Sequence, residues 1–134
     1  MPYIDSVFFN KKAEKKRLTL QLSDGEDILE SIKLAMQEQK ISECRVEDAS
    51  GKIKHIIVNS FEGNRYVKKE FSDEDVLRAS GSFKLSYSDL WGSMHISIGK
   101  RKPFSATLVA GKAAEGFELV LSFVQEIKGG QGAK

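Results

Sequence analysis

The chain has 134 residues and a mass of 15.0 kDa, with 40% hydrophobic and 30% charged residues, which indicates one soluble globular domain and excludes a disordered or fibrous class. No apolar run approaches the roughly 18 residues of a membrane span. The net charge of +2 is too small for a general nucleic-acid footprint. A single cysteine, Cys44, cannot form an internal disulfide, so we expect a reduced thiol and a cytoplasmic protein.

The charges are unevenly distributed along the chain. A basic cluster comprises Lys11, Lys12, Lys15, Lys16 and Arg17, and an acidic cluster directly after it comprises Asp24, Glu26, Asp27 and Glu30. A second basic group comprises Lys100, Arg101 and Lys102. Runs of this kind favour solvated surfaces and a helix start that prefers acids. Contact with nucleic-acid phosphates is the alternative for the two basic groups.

The first half of the chain predicts a strand, a helix and further strands. The segment RLTLQL alternates apolar and polar residues, as in a half-buried strand. Ser23 and Glu26 fit a capping box, so we predict a helix over about 24–39. Its apolar stripe consists of Ile28, Ile32, Ala35, Met36 and the adjacent Leu29. A short strand follows from Ile41.

The remainder predicts strands joined by turns. Turns are expected at 48–52, at Gly63–Asn64 and at 88–93, the last holding Trp91. The segment SDEDVLRAS fits a helix start or a strand about equally well. The whole predicts an α+β fold, a mainly antiparallel sheet of about seven strands with one main amphipathic helix on one face. We expect an N-terminal extension over 1–12, one domain over 13–127 and a flexible tail over 128–134.

The residue inventory offers little for catalysis or metal binding. The chain has two histidines and one cysteine, whereas a zinc site needs three or four protein ligands. Cys44 shares a strand face with Val46, so a buried, inert thiol is favoured over a nucleophile. His95 lies on the polar face of a strand, opposite Met94 and Ile96, which favours a hydrogen-bonded structural role. No nucleophile elbow, phosphate loop or dinucleotide fingerprint occurs, and we expect no metal, no cofactor and no catalytic residues.

The order of motifs resembles the plants-and-prokaryotes-conserved (PPC) domain family. The segment LTLQLSDGEDILESIKLAMQEQKIS looks like its opening strand and helix, and YVKKEFSDEDVLRASGSFKL is similar to its middle. MHISIGKRKPFSATLVAGKAAEGFELVLSF looks like its histidine strand, hairpin loop and last strand, so the resemblance spans about residues 13–124. It implies a strand for SDEDVLRAS, a homotrimer, and DNA association as in plant members that also carry AT-hooks.

The sequence departs from that family at the histidines. Many prokaryotic members carry His-x-His on the histidine strand and Gly-Gly-His on the next, which together hold a metal. Here the corresponding residues are Ser93-Met94-His95 and 104–107, so only His95 matches. The resemblance therefore implies the fold and the assembly without the metal.

Two functions remain open from the sequence. The first is a non-enzymatic, trimeric binding or regulatory module of the PPC type, with DNA phosphates contacted by Lys100, Arg101 and Lys102. The alternative is a small enzyme or small-molecule-binding protein that uses an inter-subunit cleft with His95 and Glu118 as its polar groups. The environment of His95 discriminates between them, because an open pocket with converging carboxylates favours the enzyme.

Overall fold

A computed structural model describes residues 13–99 and 104–126. Six strands and one helix make up this part of the chain, and their bounds are β1 Ala13–Leu22, α1 Ile28–Gln39, β2 Glu43–Glu62, β3 Arg65–Ser86, β4 Asp89–Ile98, β5 Phe104–Ala113 and β6 Phe117–Glu126. All strand pairs are antiparallel, which confirms the α+β class. The basic group at 100–102, the extension and the tail lie outside the described residues.

The long strand β2 organises the sheet. One edge of β2 pairs with β3 from Glu43 to Glu62, while the other edge pairs first with β6 and then with β5. Since β3 also pairs with β4 and β4 with β5, strands β2 to β5 close into a ring. The strands β6 and β1 extend the sheet outward from the first half of β2.

The count of about seven strands was wrong, and the described residues form six, because the predicted turn at 48–52 does not interrupt β2 and SDEDVLRAS does not separate two strands. Residues 48–52 have a turn-like composition but form a bend within β2, with a register shift between Val46 and Asp48 and a φ of 114° at Gly51. SDEDVLRAS is a strand and continues into its neighbours as β3. The last of the predicted turns lies earlier than 88–93, at Tyr87 and Ser88, which both have positive φ and leave Trp91 inside β4.

The helix begins four residues later than the sequence predicts. The preceding segment is bound to the end of β5: the Gly25 amide donates to the Ala113 carbonyl at 2.7 Å and the Ala113 amide donates to Glu26 at 2.9 Å. Asp27 is therefore the N-cap, and its carboxylate accepts from the Glu30 amide at 2.9 Å. The Glu26 side chain still accepts from the Ser23 amide, as half of a capping box would.

The core lies between α1 and the inner face of the sheet. The helix packs against β5 and β3 and buries the predicted residues Ile28, Ile32, Ala35 and Met36. The sheet contributes alternate residues of each strand, among them Ile53, Ile56, Val58, Met94, Ile96, Ile98, Phe117, Leu119 and Leu121. The predicted alternation of buried and exposed side chains along β1, β4 and β6 is thus confirmed. The face of these strands that points away from the core carries the polar side chains.

Strands β3 and β4 approach closely at two glycines. A Cβ atom at Gly81 would lie 2.3 Å from the Ser93 carbonyl oxygen, and one at Gly92 would lie 2.2 Å from the Ser82 carbonyl oxygen. Neither distance is compatible with a side chain. Glycines at such positions mark a sharp bend of a sheet, and these two lie on either side of the Ser82–Ser93 pair.

We predict that Gly81→Ala destabilises the protein by about 2–3 kcal/mol, because the added methyl group meets backbone atoms that cannot move independently. Gly63→Ala is the control, since its Cβ would meet nothing within 4 Å and only the positive φ of 67° opposes it. That control should lose about 1 kcal/mol. Urea unfolding of the two variants measures both values, and equal losses would show that the β3–β4 contact is not tight.

Candidate functional site

An open groove of about 1680 Å³ lies over the sheet beside the C-terminal end of α1. Its floor consists of residues from the first half of β2, the second half of β3, the first half of β4 and the second half of β6. The residues Gln39–Ser42, which follow the last turn of α1, form one wall. There Lys40 adopts a left-handed conformation and the Ile41 amide donates to the Met36 carbonyl, which ends the helix.

The outer face of the sheet carries one row of side chains that crosses five strands, and the groove is lined by its members on β6, β2, β3 and β4. Registers of adjacent strands place Arg17 of β1 beside Ser122 of β6, Ser122 beside Arg45 of β2, Arg45 beside Ser82 of β3, and Ser82 beside Ser93 of β4. Side chains directly opposite on neighbouring strands lie about 5 Å apart at Cβ. The row therefore sets two guanidinium groups among three hydroxyl groups on a single surface.

A second row reaches His95. Ser80 of β3 pairs with His95 of β4, which pairs with Thr107 of β5. The Thr107 hydroxyl lies 3.2 Å from Nδ1 of His95, and the imidazole lines the groove. His95 is exposed and lies opposite the buried Met94 and Ile96, as the alternation predicts.

The electrostatics at the β1–β6–β2 end centre on Glu47. The Ser122 hydroxyl, itself buried, donates a hydrogen bond to the Glu47 carboxylate, and this bond is the main reason why the pKa of Glu47 lies below its usual value. Lys15, at 3.7 Å, and the charges of Arg17 and Arg45 act in the same direction. Three cations thus surround one ionised carboxylate, and this end of the groove carries a positive excess.

Within one copy of the chain, the two residues predicted for the inter-subunit cleft, His95 and Glu118, lie apart. His95 lines the groove, whereas Glu118 does not; its carboxylate accepts from the Gln21 side chain at 2.8 Å at the other end of β6. Among the described residues no group of three or more His, Cys, Asp and Glu side chains could hold a metal ion. Ser93 and Thr107 occupy the places beside His95, and neutral hydroxyls with one imidazole do not fit a tight divalent site.

The remaining reactive and aromatic side chains divide between structural contacts and the groove. The Cys44 thiol is buried against Met36, with the two sulfur atoms 3.7 Å apart. His55 lies within β2 and contacts the Glu70 carboxylate. Trp91 is 60% exposed and lines the groove. Phe104 is partly buried, with its ring 5.6 Å from that of Phe71.

Sequence reasoning missed Arg45, Ser82 and Ser122 as members of a site. The alternation of burial along β2 and β3 places Arg45 and Ser82 on the outer face, and that signal was present in the sequence. Their meeting, however, depends on the pairing of strands that are far apart in the chain.

This architecture defines the class of the protein: a small α+β domain whose closed antiparallel sheet carries a cationic, hydroxyl-rich groove. The family model of the Plants and Prokaryotes Conserved (PCC) domain matches residues 10–127, and the chain belongs to this family, as the motifs indicated. No curated protein matches the sequence.

Solved structures share the fold at low sequence identity. A metal-containing protein from Archaeoglobus fulgidus is 21% identical, with 83% of this chain and 81% of that chain covered and a TM-score of 0.71. A plant- and prokaryote-conserved protein from Pyrococcus horikoshii is 16% identical, with 84% and 79% covered and a TM-score of 0.67. A candidate DNA-binding protein from Bacteroides thetaiotaomicron is 14% identical, with 84% of both chains covered and a TM-score of 0.68.

We predict that the Cys44 thiol of the folded protein reacts very slowly with a disulfide reagent. Burial raises its pKa to about 11, and the hydrogen bond from the Phe83 backbone offsets only part of this effect. At pH 8 about one thiol in a thousand is then ionised, compared with roughly a quarter for a free cysteine. Absorbance at pH 8, with and without denaturing urea, measures the two rates. A folded rate close to the unfolded one would contradict the buried environment.

Proposed function

We propose that the protein is a non-enzymatic, homotrimeric binding module that associates with DNA in the cytoplasm. The observation that carries this proposal is the placement of the basic cluster: Lys15 and Arg17 both lie on the outer face of β1, and Ser122 of β6 separates Arg17 from Arg45 of β2. Aligned cations on one face supply the phosphate contacts on which sequence-independent binding depends. The helix α1 has acids before and within its first turn, which disfavours its insertion into a DNA groove.

The second basic group supports the same role. In the chain this group, Lys100, Arg101 and Lys102, stands between β4 and β5. The last residue of β4, Ile98, pairs directly with the first residue of β5, Phe104. Lys69 lies 5.1 Å from the centre of the Phe104 ring, so a described cation adjoins the start of β5. No described helix has the length and apolar character that crossing a membrane would require.

Trimer assembly is supported by exposed apolar residues at the groove. Trp91 and Val124 line it with 60% and 71% of their surfaces exposed. The aromatic residues of β6 contribute little to such an interface, since Phe117 is fully buried in the core and Phe123 is partly buried against it. A second copy packed against the Val124 side of this face would cover Val124 and make the groove an inter-subunit cleft, with Trp91 on its open wall.

A second function, small-molecule binding in that cleft, is favoured by the position of His95. Its imidazole lies in an open groove among hydroxyls and not in the core. The separation of His95 from Glu118 favours binding over acid–base catalysis.

Light scattering at micromolar concentration should give three times the chain mass of 15.0 kDa. The physical reason is the removal from water of Val124, which is 71% exposed in the single chain. A mass near 15 kDa would reject the trimer.

DNA binding should weaken steeply with salt, with a log–log slope of about −0.9 for each phosphate contacted. Replacing Lys100, Arg101 and Lys102 together by alanine should weaken binding to all duplex sequences about equally and flatten the slope. Fluorescence anisotropy with labelled duplexes measures both.

The matched control replaces Lys52, Lys54 and Lys112 by alanine, which removes the same charge from exposed positions elsewhere. This variant should retain most of the affinity. Absence of binding at low salt would remove DNA from the function, and an equal loss in both variants would mean that only net charge matters.

A further inference from the structure

Arg45 is the cation in the groove that is best placed to meet a ligand. It lies in the middle of the five-strand row, between Ser122 and Ser82, with Ser93 one strand further on. The ion pairs of the described residues include Lys15 with Glu47 and Lys84 with Glu43 but none of Arg45. Its guanidinium therefore has donors to offer on the side away from Glu47.

Hydrogen-bond donors converge on this side from three strands. Neighbouring strands are about 4.8 Å apart, so Arg45 and Ser93 lie about 10 Å apart with Ser82 between them. Ser80 and His95 occupy the next positions of β3 and β4 on the same face. Gly81 and Gly92 allow β3 and β4 to approach closely at this point. The four side chains that these two strands contribute therefore stay together.

We infer that the groove binds a small molecule through a phosphate monoester, held by Arg45 and the hydroxyls of Ser82 and Ser93. The inference rests on the second proposed function, small-molecule binding, and not on DNA association. A guanidinium carries five hydrogen-bond donors and each hydroxyl carries one. Together these donors exceed the number that the two oxygens of a carboxylate can accept, but they suit the three terminal oxygens of a phosphate ester. The His95 imidazole, two residues after Ser93 on β4, borders the same anion.

The organic part of the ligand lies toward Trp91. Trp91 pairs with Lys84 on β3 and lies two residues before Ser93 on β4, so its side chain projects from the same outer face. Its ring is 60% exposed and offers an apolar surface next to the phosphate position. The site thus combines an anion-binding end with an aromatic end, which is the usual construction of a small-molecule pocket.

Fluorescence of Trp91, the only tryptophan, tests this directly. Phenyl phosphate and inorganic phosphate are titrated at constant ionic strength into the full chain. Both should give saturable changes, and phenyl phosphate should bind several-fold more tightly because its ring contacts Trp91. Arg45→Gln should weaken both by at least about tenfold, and the double change Ser82→Ala with Ser93→Ala by several-fold.

The control is Arg65→Gln, which removes the same charge at the exposed tip of the β2–β3 hairpin and should leave both affinities unchanged. Equal losses in Arg45→Gln and Arg65→Gln, or a linear response without saturation, would overturn the inference. Equal affinities for the two probes would assign the site to free phosphate and overturn the ester.

Two further measurements separate this inference from DNA binding. The triple alanine variant of Lys100, Arg101 and Lys102 should bind phenyl phosphate normally even where DNA binding is lost; loss of both would place the phosphate outside the groove. Imidazole NMR signals of His95 should shift with phenyl phosphate while those of His55, the other histidine, stay fixed. Equal shifts of both would contradict the site.

Discussion

The bend of β2 at Gly51 determines how the sheet closes. At this residue the free edge of the strand passes from β6 to β5, and a Cβ atom there would lie only 3.0 Å from the Cα atom of Phe117. The positive φ of 114° is a conformation that favours glycine. Because one strand serves two partners in succession, the ring of β2 to β5 and the extension through β6 and β1 belong to one hydrogen-bonded sheet. Core and groove then occupy its opposite faces.

The groove depends on the same sheet in a second way. Its polar groups come from strands separated by many residues, and only the registers across β2 bring Ser122, Arg45 and Ser82 into one row. The glycine contacts between β3 and β4 fix the far end of that row. Stability and the arrangement of the groove are thus linked, since a change that loosened β2 would also disperse the donors.

Local sequence patterns were sufficient for the elements whose burial repeats regularly. The stripe of α1 and the alternation of β1, β4 and β6 follow directly from one buried face. The bend at 48–52 was not predictable in this way, because the same composition fits a turn that reverses the chain. Only the long-range pairing of β2 with β3, β6 and β5 shows that the strand continues through it. The turn at Tyr87 and Ser88 contains no glycine or asparagine, so it lacks the usual sequence signal for positive φ. The late start of α1 reflects its contact with β5, which is equally remote in sequence.

For the site, the sequence identified His95 and its face, and the family resemblance supplied the fold around it. The hypothesis of a cleft combined His95 with Glu118 as its polar groups. The register of β1 and β6, however, places Glu118 beside Gln21, outside the groove. Arg45 was overlooked because nothing adjacent to it in the chain carries a recognisable motif. A site assembled across a sheet has no contiguous signature, and its members are identified only when the registers are known.

The pairing of β1 with β6 brings the two ends of the described domain together, with Ala13 opposite Glu126. β1 pairs with no other strand among the described residues. A pulling force applied across the two chain ends would therefore load this hairpin-like pair at its open end, and its hydrogen bonds would break in sequence rather than all at once. A small force across the chain ends is then enough to separate β1 from β6, whereas the ring of β2 to β5 is not loaded in this way. Attachment through both ends would strip β1 first and leave β2 to β5 intact.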